Sequence, residues 1–282
     1  MSERLHKLLA QHGLGSRREI EKWMLEGRVY LNGNPAQPGD RYNPGDRVAI
    51  DGKEVTSRLQ IFAEPKVILY HKPQGQPITA GTDDEGAEFG KSVMESLPSL
   101  RGSRWLVVNT MQAGDSGLLL LTSDGKLADA LRRRAESTPA AYVARVLVPT
   151  LDYDVSTIPR VVQYDDETIE FESIEPVGGE GTNRWFRVES HRAHRRAAVR
   201  ALFESRNLKV SRVIQVMFGD FELPRDLPRG KHRELSDNAI EALYASAELT
   251  VPSAPPKPQP ARAHGGARRR PAPDRRKKSK RK

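Results

Sequence analysis

Apolar positions along the chain follow two regimes. In residues 3–26, Leu5, Leu8 and Leu9, then Ile20, Trp23 and Met24, recur three and four apart, which predicts two short helices. Between them "HGLGS" supplies Gly13 and Gly15 as stops, and Ser16 with Glu19 three residues on reads as a capping box. "RVYLNG" predicts a strand ending in an Asn-Gly turn, and "GDRVAIDGK" a second strand. This block closes near Val55, and residues 56–65 read as a linker. From Pro65 the periods mix. Val67–Tyr70, Trp105–Val108, Leu118–Leu121, Ala141–Val148, Thr168–Ile174, Trp185–Glu189 and Val210–Phe218 predict strands. Helices are predicted from a cap at Ser123 or Asp124 through Arg134, over His194–Arg206, and over Leu235–Leu249. Strands and helices interleave without a regular βαβ repeat, so the expected class is α+β with a mixed, largely antiparallel sheet. The expected division is a small αα-β domain over 1–58, a larger domain over 65–250, and a disordered tail over 251–282, where Pro, Ala, Arg and Lys show no apolar period.

Charge changes this picture in one respect. The formal net charge is +9, but 12 of the 46 basic residues and only one of the 37 acidic ones (Asp274) lie in 251–282. The tail therefore carries +11 and residues 1–250 carry −2. Basicity is a property of the tail, a polycation without aromatics that can follow phosphates but not read bases. With no cysteine, disulfides, thiolate metal sites and thiol catalysis are excluded. The seven histidines are scattered and none is paired at metal-ligand spacing, so no metal is expected. No apolar run approaches the ~20 residues that span a bilayer, and a cytoplasmic location is expected.

Two stretches could carry chemistry. "LGSRREIEKW" puts Arg17 and Arg18 at a helix start, with Lys22 one turn on and Arg28 beyond. A helix N-terminus flanked by arginines suits phosphate, and it equally suits a solvated surface. "VVNTMQAGDSGLLLLTSDGKLADAL" (residues 107–131) has the frame of an active-site loop: strand, tight polar loop, apolar strand, capped helix. The loop between its strands holds no His, no Cys and one carboxylate, Asp115.

Residues 3–53, with their Ser-Arg helix start, "GRVYLNG" and "GDRV", resemble the S-four-type RNA-binding domain. "YHKPQG", "SGLLLLTSDGKLADAL", "YVARV", "GGEGTNRWFRV" and "VSRVIQVMFGDFELPRDLPRG" resemble the bacterial rRNA pseudouridine synthases. The branch is the one that modifies single uridines of rRNA, and "GGEGTNRWF", "LPRDLPRG" and the basic tail point to its large-subunit members. The resemblance implies cleavage of a uridine N-glycosidic bond, rotation of the base and rejoining through carbon, without cofactor or metal. It implies a base taken out of the RNA stack, rRNA of the large subunit or its precursor as partner, and a monomer.

One aspartate is indispensable in that family, in a Gly-Arg-Leu-Asp segment ahead of Ser-Gly. Aligned on Ser116 and Gly117, the segment becomes Asn109, Thr110, Met111 and Gln112. Gln112 stands where the aspartate is expected. An amide is neutral, a poor nucleophile, and takes no proton at pH 7. The family's basic helix start becomes "HRRAAVRA" (194–201), which keeps Arg195 and Arg200 but carries Ala197 and Ala201 at two basic positions. Tyr142 falls on the tyrosine that stacks on the target base, or else is a sheet-core tyrosine. Lys72 and Pro73 fall on the motif that shapes the pocket floor, and Arg212 on a retained arginine. Asp124 reads as an N-cap and Asp220 as a turn residue. As a substitute acid, Asp115 lies three residues downstream, about 10 Å away along an extended loop. The expectation is therefore an rRNA-binding pseudoenzyme. An active synthase using Asp115, and a protein-interaction module with RNA affinity only in its tail, are the alternatives.

Overall fold

A computed structural model of the chain describes residues 2–80, 90–191 and 196–253. The first unit opens with α1 (Leu5–Gln11) and α2 (Arg17–Leu25). The Ser16 hydroxyl accepts from the Glu19 N–H at 3.2 Å, and the Glu19 carboxylate accepts from the Ser16 N–H at 2.7 Å, so the cap satisfies two otherwise orphaned donors. Leu5, Leu9, Ile20 and Met24 form a common buried face with Val29 and Val48. Those two belong to a four-stranded antiparallel sheet of β1 (Val29–Leu31), β2 (Asn34–Pro35), β3 (Val48–Ile50) and β4 (Lys53–Glu54), ordered β2-β1-β3-β4. The expected linker begins later than the sequence suggests. Thr56–Leu59 form a short helix, α3, with Val55 and Leu59 buried in the same core. The Thr56 hydroxyl accepts from the Val48 N–H at 2.9 Å, and the His12 ring bonds the Leu59 carbonyl at 2.9 Å. Two apolar residues four apart were too few to show a period.

The second unit is built on a nine-stranded sheet. Its main strands are β5 (Val67–Lys72), β6 (Ser116–Thr122), β7 (Ala140–Leu147), β8 (Ser173–Glu180), β9 (Asn183–Ser190), β10 (Lys209–Phe218) and β11 (His232–Glu234), in the order β8-β9-β7-β10-β6-β5-β11. All pairs on this path are antiparallel except β10 with β6, which confirms the α+β class. The longer helices are α4 (Gly125–Arg134), α5 (Arg196–Glu204) and α6 (Asp237–Ser246). All seven residues of β6 are buried. Leu118 and Leu120 enter the main core, while Leu119 and Leu121 enter a second core with Tyr70, Trp105 and Met111. Burial on both faces explains why this strand reads as an unbroken apolar run.

Asp124 caps α4 by accepting from the Lys126 N–H at 2.8 Å, and also accepts from the Tyr244 hydroxyl of α6 at 2.6 Å. The single strand expected over Thr168–Ile174 is two. Glu167–Glu170 pairs with Val161–Tyr164 in a separate hairpin, and Ser173 begins β8. Its continuous alternation concealed the change of sheet. The expected Trp105–Val108 strand shortens to Leu106–Val107, paired with the end of β6. No helix among the described residues is long and apolar enough to cross a membrane.

Candidate functional site

One edge of β6 organises the site. It pairs with β10 only at Ser116 and Gly117, and with Leu106–Val107 only at Leu121 and Thr122. The gap between is closed by Asn109, which is 1% exposed. Its amide donates to the Leu118 carbonyl at 2.9 Å and to Gln215 Oε1 at 3.2 Å, and its oxygen accepts from the Leu120 N–H at 2.8 Å. The side chain thus does for the edge what a neighbouring backbone would do. At Gly117, φ is +119°, and a Cβ would sit 2.1 Å from the Gln215 carbonyl oxygen, so only glycine lets the two parallel strands meet.

From Asn109 the chain turns rather than extends. Met111 points into the second core, while Thr110 and Gln112 face solvent. The Asp115 N–H donates to the Gln112 carbonyl at 3.1 Å, and the Gln112 N–H donates to Asp115 Oδ2 at 2.8 Å. The expected 10 Å separation is therefore wrong. The turn folds the Asp115 carboxylate back to the backbone of Gln112, because an aspartate three residues on from a free N–H can close the turn with its own side chain.

Beneath the turn lies Lys72, 0% exposed, at the end of β5. Its ammonium donates to the carbonyls of Asp115 (2.6 Å), Ala113 (2.9 Å) and Pro73 (3.2 Å). Burial pulls this amine down to about 8, opposed by the nearby Asp115 carboxylate and reinforced by Arg196. Beside the turn, Arg196 opens α5 and holds Asp115 Oδ1 at 2.9 Å. Its other nitrogen bridges the carbonyls of Ser116 and Val213, across the split where β10 leaves β6. Burial also lowers the Arg196 pKa, with the Asp115 charge opposing the shift. These groups border a cleft of about 190 Å³ lined by Asp115, Arg196, Arg200, Arg212, Gln74 and Ser211, among others.

The expected residues fall in several places. Asp115, Arg200 and Arg212 reach the cleft, whereas Lys72 sits below it. Arg200 also donates to the Val210 carbonyl at 2.6 Å. Tyr142 is 1% exposed in the main core, not on the cleft lining, although its phenol is close enough to influence Arg196 electrostatically. Arg195 and the tail beyond Ser253 lie outside the described residues. In the first unit, Arg17 pairs with Asp129 of α4 at 3.5 Å and Lys22 with Glu26 at 3.7 Å. Arg28 forks onto Asp51 with two 2.7 Å bonds, reaches Glu26 at 3.2 Å and lies over the Trp23 ring. Arg18 is exposed and, of these four, has no carboxylate within ion-pair distance among the described residues. Sequence reasoning passed over Arg196 and the bridging role of Asn109. The run "HRAHRR" signalled charge but not which arginine turns inward.

The fold places a small helix-and-sheet module in front of a larger domain built on a nine-stranded sheet that carries the cleft. Residues 3–48 match the S4 domain, and residues 66–209 match the RNA pseudouridylate synthase family. The chain is 38% identical over 254 residues to the ribosomal large subunit pseudouridine synthase B of Xanthomonas campestris, covering 88% of this chain and 50% of that one. The corresponding Escherichia coli protein is 40% identical over 237 residues, 83% of this chain and 80% of that one. A crystal structure of a pseudouridylate synthase superposes with a TM-score of 0.50 at 19% identity, covering 85% of this chain and 99% of the other, and shares the fold. The chain belongs to the RNA pseudouridylate synthase family. It spans about half the length of its Xanthomonas relatives.

Proposed function

We propose that this protein is an rRNA-binding member of the family in which uridine isomerisation is impaired or lost. The observation that carries this reading is the Gln112–Asp115 turn. A solvent-facing amide stands at the aspartate position, and the adjacent carboxylate has both oxygens engaged, one by Arg196 and one by the Gln112 N–H. A nucleophile or base must be aimed at the ribose, and here the orientation of the carboxylate is set by the turn and by Arg196. The names of the relatives support large-subunit rRNA, or a precursor particle, as partner. The retained module (1–58), the synthase-like domain (65–250) and the basic tail (251–282) suit a monomeric, cofactor-free binder in the cytoplasm.

A second reading rests on one observation. Asp115 lies on the cleft with its carboxylate 2.9 Å from Arg196, the placement that a carboxylate serving in place of the family's aspartate would need. The discriminating experiment incubates the purified protein with large-subunit rRNA carrying tritium at carbon five of uridine. The first reading expects no release above background from wild type. The second expects stoichiometric release that Asp115→Asn abolishes.

A further inference from the structure

Beyond the cleft, the outward face of the sheet carries a row of side chains that shares only Arg212 with it. Arg145 of β7 lies directly opposite Trp185 of β9 on one side and Arg212 of β10 on the other. Directly opposed residues share a face, so the three stand in one row across three strands, about 10 Å from end to end. Alternation places them outward: Ala144, Val146, Phe186 and Val213 point into the core, while Arg145 is exposed and Trp185 and Arg212 are half-buried. Arg145 lies over the Trp185 ring, 6.0 Å from its centroid. On the far side Trp185 is paired with Gly178 of β8, where even an added Cβ would touch nothing within 4 Å. At the other end of the row, Arg212 lines the cleft.

The charges on this face are unevenly matched. Arg187 is neutralised by Glu189 at 2.8 Å and Glu222 at 3.0 Å. No carboxylate among the described residues pairs with Arg145 or Arg212. Lys209 adds a further exposed cation opposite Leu147, in the next row. An aromatic platform with an open side, flanked by cations without counter-charges, suits a strand of bases and phosphates. It does not suit a protein surface that would bring its own carbonyls and apolar side chains.

We infer that Trp185, Arg145 and Arg212 form a track for single-stranded RNA leading out of the cleft, with a base stacked on Trp185 and phosphates on the two arginines. This inference rests on the RNA-binding reading above. The test uses the full-length protein and a fluorescein-labelled oligouridylate of about 12 nucleotides, within the usual site size for single strands. Trp185→Ala is expected to weaken binding roughly tenfold, and Trp185→Phe, which keeps a stacking face, to weaken it little. Unlabelled oligouridylate should quench the wild-type indole emission, and Trp185→Phe should lose that quench. Arg145→Gln should lower the slope of log Kd against log salt by about 0.7, the value of one phosphate contact on a single strand. If Trp185→Ala proves unfolded by circular dichroism, the quench and the slope decide. Equal quench in wild type and Trp185→Phe, with an unchanged slope in Arg145→Gln, overturns the track while leaving RNA binding intact. Wild-type protein that fails to bind the probe at low salt overturns both.

Discussion

Asn109→Ala tests whether the loop is held to the sheet as described. The substitution removes three hydrogen bonds and leaves the Leu118 carbonyl and the Leu120 N–H without the side chain that bridges them. Both groups belong to residues that are 0% exposed, so water cannot replace the amide. A buried backbone group left unpaired costs about 1–3 kcal/mol, and two give about 2–6 kcal/mol. At about 2–4 °C per kcal/mol for a domain of this size, the melting temperature should fall by roughly 4–24 °C. Asn109→Asp sharpens the test. One carboxylate oxygen can still accept from Leu120, but the other would face the Leu118 carbonyl and needs a proton to bond it. Its folded pKa is then raised above the unfolded value, so the variant should be least impaired at low pH and lose stability as pH rises through the folded value. Thermal unfolding followed by circular dichroism at several pH values reads both effects. An Asn109→Ala protein that melts within about 1 °C of wild type would refute the bridging role.

Three further outcomes follow from the same geometry. Gly117→Ala forces a Cβ onto the Gln215 backbone at positive φ and should cost more than about 3 kcal/mol, read as loss of soluble protein or of cooperative unfolding. Lys72 titrates near 8 in the folded protein and at 10.5 when unfolded. Between those values the unfolded chain binds more protons, so wild type should gain stability relative to Lys72→Met as pH rises across that window; a flat or falling difference in melting temperature contradicts the buried amine. Gln112→Asp should not by itself confer uridine isomerisation, because the resemblance puts Thr110 and Ala197 where the family pattern carries basic residues; tritium release gained by this one substitution would contradict that expectation.

Much of the fold was legible because its signals are local or doubly determined. Ser16 and Glu19 announce their capping box within four residues, and the apolar run Leu118–Leu121, read as a strand, is one, buried on both faces. Helix α3 and the break at residues 171–172 were not legible. Each depends on packing against residues distant in the chain, such as His12 and Val48 for α3. The site was half legible. The motif resemblance implies that Gln112 stands at the family's aspartate position. That Asp115 folds back onto it, that Arg196 is the arginine turned inward, and that Asn109 stands in for a strand edge are products of tertiary register. A linear estimate of loop reach misjudged the first, because it assumed an extended chain where a side-chain-to-backbone bond makes a turn.

The most direct measurement is single-turnover tritium release from large-subunit rRNA, with the full-length wild-type protein in excess over RNA and binding confirmed in the same tubes. The account predicts bound RNA and no release above the protein-free control over hours. Release approaching one equivalent per rRNA would contradict it, and its loss in Asp115→Asn would make Asp115 the catalytic acid.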